Sequence, residues 1–414
     1  MASAIRDVFS NRNVMAISLT NMLYNVFNQL WNLWWSLYLV EVLDTPIVIV
    51  GLLSTIQMSG SFLFQLPGGF ITDRYGRKKV IVYGTCLRVF AALILYSARS
   101  WQWVLPGIIL NGMAGIYNPA FSAIIADSMP RERRGTAFGT YRMMTSIPGV
   151  FMPVVSGYYL DRLGIQIGVR TGLLMFAVAT TIAVLVRAKY LEETLDTSKA
   201  KENTQKENEG LLKNFTAQPR IIYFMLLVSI ISGFIMRMSW SFLPIYAYNV
   251  MGLTTTQYGL LQSIASFISS PLYMVGGMLS DRVGRIPCIL LARGFGPLDS
   301  LSLLFLRDYN QLMAVFGTVG LIEGLGGGRI RGGGFMGGPA WEALLADIVP
   351  QQNRGKVNGM LATISGLATL PASYIGGLIY DINPNTLLGL TAIQLITIPI
   401  ILLFFKEPDK DARQ

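Results

Sequence analysis

The chain has 414 residues, of which 52% are hydrophobic and 14% are charged, and its formal net charge is +10. Soluble domains average about 25% charged residues and their helices carry polar outer faces, so this composition excludes an ordinary soluble domain. The chain contains no histidine, the commonest near-neutral proton carrier and metal ligand. Its basic residues are spaced over separate loops rather than over one continuous face, which argues against a nucleic-acid partner.

Twelve apolar segments are long enough to cross a hydrocarbon layer of roughly 30 Å. In the first half the predicted spans are 15–42, 47–71, 80–98, 103–126, 137–160 and 169–189. In the second half they are 221–250, 255–279, 287–305, 312–348, 357–380 and 386–405. Lys and Arg cluster in alternate connections, so the positive-inside rule places these loops and both termini in the cytoplasm.

The expected fold is therefore an all-α integral membrane protein. An N-terminal six-helix bundle takes up residues 1–190, and a C-terminal six-helix bundle takes up residues 220–414. The segment between them, 191–219, is polar and poor in aromatic residues, which predicts a flexible cytoplasmic linker.

A row of polar side chains runs along the first span at spacings of three and four residues. Its members are Asn21, Asn25, Asn28, Gln29, Asn32 and Ser36. Amides that face lipid would be unsatisfied, so the row must face protein or water. Hydrogen bonds between helices are one explanation. Five carboxamides exceed what one interface needs, which favours the wall of a substrate cavity, and Asn111 and Asn118 share one face of the fourth span.

One motif, Gly-x-x-x-Asp-Arg-x-Gly-Arg, ends the second span and returns at the end of the eighth. The first copy contains Gly69, Asp73, Arg74, Gly76 and Arg77, and the second contains Gly277, Asp281, Arg282, Gly284 and Arg285. The two copies are 281 − 73 = 208 residues apart. The first glycine of the motif permits close helix packing, and the second permits a tight reversal of the chain.

A second motif, Asp-x-x-Pro-x-x-x-Arg-Gly, also occurs twice. It contains Asp127 and Arg134 in the first half and Asp347 and Arg354 in the second, 347 − 127 = 220 residues later. The two halves therefore share one plan, with 220 − 208 = 12 extra residues in the second half, between Arg307 and Pro339.

Both motifs resemble those of the major facilitator superfamily, and the resemblance covers nearly the whole chain. It implies two six-helix bundles related by a pseudo-twofold axis, rocker-switch alternating access, and a cavity lined by helices 1, 4, 7 and 10. It also implies that Asp73 meets the start of the eleventh span near Val357, and that Arg77 or Arg74 pairs with Asp127. These contacts would latch the cytoplasmic gate, and the simpler alternative is a basic loop that only fixes topology.

The second half adds charged groups to the expected cavity. Arg237 aligns with Gln29, since 237 − 29 = 208, and Trp240 lies one turn further along the same span. The 12-residue insertion coincides with a glycine-rich run, 324–338, that contains Arg329 and Arg331. Glycine at this density predicts a broken tenth helix. Its free N–H groups and arginines would form an anion site, or the run is an excursion without a role.

Charged residues inside the spans must face the interior of the bundles. Arg88, Arg142, Arg237 and Arg293 would each cost about 2.5–3.5 kcal/mol at the bilayer centre. For Arg88 and Arg293 we expect a structural hydrogen-bonding role, whereas Arg142 is close to the cytoplasmic end of its span, where it can simply snorkel. Without histidine, proton coupling requires a carboxylate, and Glu323 is the candidate.

These features predict a monomeric secondary transporter in the inner or plasma membrane, with a small-molecule substrate, lipid neighbours, and no cofactor, metal or nucleic acid. Similarity to the drug:proton antiporters of the superfamily implies proton-coupled export, although Ile108 stands where their fourth helix carries arginine. Embedded arginines outnumber embedded acids, which favours an amphipathic or anionic compound over a cationic drug. The alternatives are import of a polar metabolite by a symporter or facilitator, and a non-transporting membrane sensor or scaffold. An enzyme is not expected, since the sequence lacks histidine, a nucleophile elbow and a metal cluster.

Overall fold

A computed structural model describes residues 11–128, 134–195, 219–326, 339–349 and 354–405. Over these ranges the chain is helical and contains no β-strand. By length and composition, eight helical segments can cross a membrane. They are Ile47–Gln65, Arg77–Ser97, Trp101–Ile125, Ile165–Tyr190, Arg220–Trp240, Arg285–Phe305, Val357–Ile382 and Pro384–Phe404. The all-α class with membrane-spanning segments is therefore confirmed, whereas twelve spans and cytoplasmic termini stay predictions.

The described part of the first half, 11–128 and 134–195, contains eight α-helices. They are α1 (Arg12–Asn32), α2 (Trp35–Glu41), α3 (Ile47–Tyr75), α4 (Arg77–Ser97), α5 (Trp101–Met113), α6 (Asn118–Asp127), α7 (Arg134–Leu163) and α8 (Ile165–Tyr190). A 3₁₀ turn (Ala114–Tyr117) joins α5 to α6. The side chain of Asn11 caps α1, because its Oδ1 accepts from the backbone N–H of Val14 at 3.1 Å.

The described part of the second half begins with α9 (Arg220–Trp240) and the short α10 (Leu243–Ile245), which continues into a π-helical turn (Tyr246–Val250). The next helices are α11 (Thr255–Val283), α12 (Arg285–Gly294), α13 (Leu298–Phe305), α14 (Tyr309–Gly326) and α15 (Pro339–Ile348). The last are α16 (Arg354–Ala368), α17 (Ala372–Ile382), α18 (Pro384–Leu390), a 3₁₀ turn (Thr391–Ile396) and α19 (Thr397–Phe404).

Single glycines make the tight reversals between three pairs of consecutive helices. Gly76 separates α3 from α4 with φ +93°, and Gly284 separates α11 from α12 with φ +124°. Gly164 does the same between α7 and α8 with φ +80°. Residues that carry a side chain rarely adopt a positive φ, which explains why the repeated motif has glycine at this position.

Residue contacts divide the chain into two compact units. The first comprises Met1–Lys206 and Thr254–Gly259, and the second comprises Glu207–Leu253 and Leu260–Gln414. Each unit has its own apolar core, with Ile17 and Ile124 fully buried in the first and Ile222 and Leu344 fully buried in the second. The first turn of α11 belongs to the first unit, although the sequence analysis assigns it to the C-terminal bundle. The boundaries of the two bundles stay a prediction.

The internal repeat also appears in how the helices pack within each unit. A Cβ added to Gly68 would overlap the carbonyl O of Ile116, and one added to Gly276 would overlap the carbonyl O of Gly324. Both members of the pair are shifted by 208, since 276 − 68 = 208 and 324 − 116 = 208. The close approach is made by Gly68 and not by Gly69, around which a Cβ would meet nothing within 4 Å. The predicted close packing at Gly69 is therefore wrong, because the neighbouring residue lies on the packing face of α3, and the gating role of Gly69 stays a prediction.

The 12 extra residues of the second half can now be placed more narrowly. The offset is still 208 at Gly324 and has become 220 at Pro339, because 339 − 119 = 220. The insertion therefore falls within the glycine-rich run. Helix α14 ends at Gly326 and α15 begins at Pro339, and the residues between them, including Arg329 and Arg331, lie outside the described part of the chain. The helix break and the anion site there stay predictions.

Candidate substrate site and gating motifs

Two members of the polar row on α1 bond to neighbouring helices of the first unit. Asn21 accepts from Nη2 of Arg187 at 2.7 Å and donates to the hydroxyl of Tyr141 at 2.7 Å. Asn25 donates to the carbonyl O of Thr145 at 2.9 Å. These bonds join α1 to α7 and α8, so at Asn21 and Asn25 the row holds helices together, which is the alternative to a cavity wall.

The other cavity candidates of the first unit remain more accessible. Asn28 and Gln29 are half-buried and Asn32 is exposed. Asn111 and Asn118 are also half-buried, at the end of α5 and the beginning of α6. This partial exposure is what a cavity wall requires, and the cavity role of these five residues stays a prediction.

In the second unit, Arg237 and Trp240 are half-buried near the end of α9. The carbonyl O of Arg237 accepts from the hydroxyl of Ser373 at 3.1 Å, which ties α9 to α17. Glu323 lies on α14 and is 6% exposed. Within the described ranges, no group of three or more Cys, Asp or Glu residues could hold a metal ion. The roles predicted for Arg237, Trp240 and Glu323 stay predictions.

Arg77, the first residue of α4, binds the end of α6. Its guanidinium forms an ion pair with the carboxylate of Asp127, and its Nη1 donates to the carbonyl O of Ala123 at 3.1 Å. Arg74 is exposed, and its Cζ lies 5.5 Å from the ring centroid of Tyr75. Of the two arginines that the resemblance offers as partners, Arg77 is the one that contacts Asp127.

The second unit repeats this ion pair. Arg285 is equivalent to Arg77, since 285 − 77 = 208, and its Nε lies 3.3 Å from Oδ2 of Asp347. Arg285 also forms an ion pair with Asp281 and donates from Nη1 to the hydroxyl of Ser280 at 2.9 Å. In both units, therefore, an arginine at the start of one helix holds an aspartate at the end of another.

Other motif residues have different or undescribed surroundings. Arg354 donates to the carbonyl O of Ala346 at 2.6 Å and of Val349 at 3.0 Å, which satisfies the C-terminal end of α15. The side chains of Asp73 and Arg134 lie outside those that the structure describes. The contact of Asp73 with the eleventh span and the latch role of the motif stay predictions.

Glu193, which follows α8, binds the N-terminus of α4. Its carboxylate accepts from the backbone N–H groups of Arg77 at 2.9 Å and Lys78 at 3.1 Å. An acid here satisfies free N–H groups and is favoured by the helix dipole. Residue 193 is therefore held against α4, whereas 196–218 lie outside the described residues, and the flexible linker over 191–219 stays a prediction. Sequence reasoning missed Glu193 because a polar composition does not single out one acid. The usable signal is the acidic pair Glu192 and Glu193 at the end of the sixth predicted span, which can meet the basic residues after the second span.

The motif spacing occurs a third time, at the end of α7, where sequence reasoning missed it. Gly157, Asp161, Arg162 and Gly164 repeat the Gly-x-x-x-Asp-Arg-x-Gly pattern. The signal was present in the sequence, but the third copy lacks the arginine that follows the last glycine and has Ile165 there.

Asp161 caps the N-terminus of α11. Its Oδ1 accepts from the N–H of Thr255 at 3.0 Å and from the hydroxyl of Thr255 at 2.6 Å. Its Oδ2 accepts from the N–H of Thr256 at 2.9 Å and also from the hydroxyl of Thr256. Burial raises the pKa of this carboxyl, but the hydrogen bonds from Thr255 and Thr256 lower it further, so the pKa lies below its ordinary value.

The backbones of α7 and the first turn of α11 touch at two glycines. A Cβ added to Gly157 would overlap the carbonyl O of Thr255, and one added to Gly259 would overlap the carbonyl O of Pro153. Small residues at such crossings let helices approach closely in membranes. The close approach brings the N–H groups of α11 within reach of the Asp161 carboxylate.

Known proteins are similar to this chain in sequence or in fold. A family model described as the Major Facilitator Superfamily matches residues 14–330. An MFS-type transporter of Methanocaldococcus jannaschii is 21% identical over 362 residues, which cover 86% of this chain and 85% of that protein. The multi-drug resistance efflux pump PmrA of Streptococcus pneumoniae is 24% identical over 312 residues, which cover 74% of this chain and 73% of that protein. The crystal structure of a D-xylose–proton symporter is similar in fold alone, with a TM-score of 0.71, 16% identity, and coverage of 96% of this chain and 98% of that one.

Proposed function

Since the chain belongs to the major facilitator superfamily, we propose that this transporter moves a small amphipathic or anionic solute out of the cytoplasm in exchange for protons. It works as a monomer in the inner or plasma membrane, by alternating access between its two halves. Similarity to the efflux pump PmrA supports the outward direction. The excess of embedded arginines over embedded acids supports an anionic solute.

The observation that carries this proposal is the duplicated ion pair, Arg77 with Asp127 and Arg285 with Asp347. Each pair joins the start of one helix to the end of another at the same position in its unit. The pairs are partly exposed, with side-chain exposures of 13% and 33% for the first and 11% and 21% for the second. Partly exposed ion pairs contribute about 1 kcal/mol or less, so such a contact can break in each transport cycle.

Flux in proteoliposomes tests this proposal. The purified protein is reconstituted with an imposed pH gradient, and uptake of a permanently charged aromatic sulfonate is measured against protein-free liposomes. Arg77→Gln is expected to lower the rate up to about fivefold, because it removes a contact with Asp127 of about 1 kcal/mol or less. Arg74→Gln, which removes the same charge from an exposed position in the last turn of α3, should stay within twofold of the wild type. Equal rates for the two variants would contradict the gating role of the pair.

Proton coupling is assigned to Glu323, the buried carboxylate of α14. Glu323→Gln should abolish gradient-driven accumulation while leaving exchange of labelled for unlabelled solute intact. Glu342→Gln, at an exposed position of α15, is the matched control and should accumulate solute normally. Gradient-driven accumulation in Glu323→Gln at the wild-type level would exclude this residue. Accumulation of a neutral sugar or nucleoside instead of the sulfonate would favour import of a polar metabolite.

A further inference from the structure

Two arginines lie near each other in the first unit, the half-buried Arg88 on α4 and the buried Arg187 on α8. They contact the neighbouring rings of Tyr117 and Phe121, whose centroids are 4.9 Å apart. Arg187 is 1% exposed. Its guanidinium donates to the hydroxyl of Thr20 at 3.0 Å, to the hydroxyl of Thr85 at 2.6 Å and to the amide O of Asn21 at 2.7 Å. All three acceptors are neutral, so they satisfy the N–H groups but leave the positive charge uncancelled.

The guanidinium of Arg88 lies against two tyrosine rings. Its Cζ is 4.7 Å from the ring centroid of Tyr24 and 4.8 Å from that of Tyr117. The Cζ of Arg187 lies 4.8 Å from the ring centroid of Phe121. Aromatic faces attract cations but carry no net charge. The Nε of Arg88 is buried and has no hydrogen-bond partner among the residues that the structure describes.

No counter-charge accompanies these two cations in the described part of the chain. Neither Arg88 nor Arg187 forms an ion pair there, and the two guanidinium groups repel each other. Buried charges are stable when they are paired and fully hydrogen-bonded. An oxyanion between these groups would cancel charge and accept from the Nε of Arg88, so the arrangement has the chemistry of an anion site.

We propose that Arg88 and Arg187 bind the acid group of the transported solute and that the rings of Tyr24 and Tyr117 bind its aromatic body. This rests on the proposed function and specifies its substrate as an aromatic carboxylate or sulfonate. It goes beyond the structural role that the sequence predicts for Arg88.

The burial of the four side chains gives the site an open and a closed end. Arg88 and Tyr24 are half-buried, whereas Arg187 and Tyr117 are 1% and 4% exposed. The solute therefore meets Arg88 first, and Arg187 supplies a second positive charge behind it. Tyr24 precedes Asn28 by one helical turn on α1, so the half-buried part of the polar row continues from the open end of the site.

Ligand-induced stabilisation of the full-length protein in detergent tests the site. Unfolding midpoints are measured at constant ionic strength with increasing benzenesulfonate, with its neutral analogue benzenesulfonamide and with cationic benzylamine. A ligand that binds only the folded protein raises its apparent stability with the logarithm of its concentration relative to its dissociation constant. The wild type should be stabilised by benzenesulfonate and not by the other two. Equal stabilisation by the sulfonate and the sulfonamide would overturn the proposal.

Three variants assign the effect to the site. Arg88→Gln should weaken sulfonate binding at least tenfold, and Arg88→Lys, which keeps the charge without the forked geometry, should weaken it less. Arg99→Gln, at an exposed position beyond the end of α4, should bind within twofold of the wild type. If Arg88→Gln does not fold, the lysine variant and the wild-type ligand series still decide. Unchanged affinity in both Arg88 variants would overturn the proposal.

An anionic lipid headgroup offers the same acid chemistry. In nanodiscs, phosphatidylglycerol should not replace the sulfonate, and an Arg88-dependent stabilisation by this lipid alone would overturn a solute site. Because binding is measured without flux, the two proposals can fail separately. Arg88-dependent binding without transport in liposomes would contradict the proposed function and keep the site, whereas transport of the sulfonate by Arg88→Gln at the wild-type rate would do the reverse.

Discussion

Asp161→Asn is expected to weaken the contact between α7 and the first turn of α11. Asparagine keeps one acceptor oxygen, so the two bonds from Thr255, now 3.0 and 2.6 Å long, can remain. Its amide nitrogen then faces the N–H of Thr256, which now lies 2.9 Å from Oδ2, and two donors cannot bond to each other. The exchange also removes a negative charge from the N-terminus of α11, where the helix dipole favours it.

The free energy of unfolding should fall by about 1–2 kcal/mol. Removing a helix N-cap costs about 0.5–2 kcal/mol, and a charge at a helix end contributes about 0.3–1 kcal/mol. Asp161 is exposed, so solvent screens its charge and the loss belongs in the lower part of the combined range. About 1.4 kcal/mol corresponds to a tenfold change in the equilibrium constant for unfolding.

Unfolding in mixed micelles, followed by tryptophan fluorescence during titration with sodium dodecyl sulfate, measures this change. The matched control is Asp381→Asn, because Asp381 aligns with Asp161 (381 − 161 = 220) and is exposed at the end of α17. Asp161→Asn should be less stable than the wild type by the amount given, and Asp381→Asn should be unchanged. Equal stabilities for the two variants would refute the reasoning that the carboxylate caps α11.

Three further predictions concern the capping carboxylates and the close contact of α7 with α11. The pKa of Asp161 lies below its ordinary value, so its carboxylate stabilises the folded state only while it is ionised. The stability difference between the wild type and Asp161→Asn should therefore be constant from about pH 5 to 8. It should vanish in acid, as the pH falls below about 4 and through the pKa of the folded state. In the same micelle titration, Gly157→Ala should lower stability by about 1–3 kcal/mol because the new methyl group meets a carbonyl O of α11, whereas Gly69→Ala should not, and equal effects would contradict the packing argument. Glu193→Gln should speed hydrogen exchange at the N–H groups of Arg77 and Lys78, and unchanged exchange would show that the carboxylate does not cap α4.

The sequence predicts the features that repeat or that follow from hydropathy. Apolar length alone locates α4 within a few residues, at 80–98 against the observed Arg77–Ser97. The resemblance limits the partner of Asp127 to Arg77 or Arg74, and the structure selects Arg77. Hydropathy works here because lipid imposes one requirement on every residue of a span, and a repeated motif works because both copies meet the same local surroundings.

Individual polar partners could not be predicted in the same way. The row on α1 requires that its amides face protein or water, but a helical pattern does not say whether Asn25 faces a cavity or the carbonyl O of Thr145. Asp161 and its partners Thr255 and Thr256 are far apart in the sequence, so their pairing depends on how α7 meets α11. The choice between Gly68 and Gly69 depends on the exact rotation of α3, which a motif does not determine.

The most direct test of the central claim is the direction in which an aromatic sulfonate moves across a reconstituted membrane when only a pH gradient drives it. Exchange against protons predicts accumulation on the acidic side, loss of that accumulation with a protonophore, and none in protein-free liposomes. Accumulation on the alkaline side would make the protein a symporter, and an absence of protein-dependent flux would contradict transport of this class of solute.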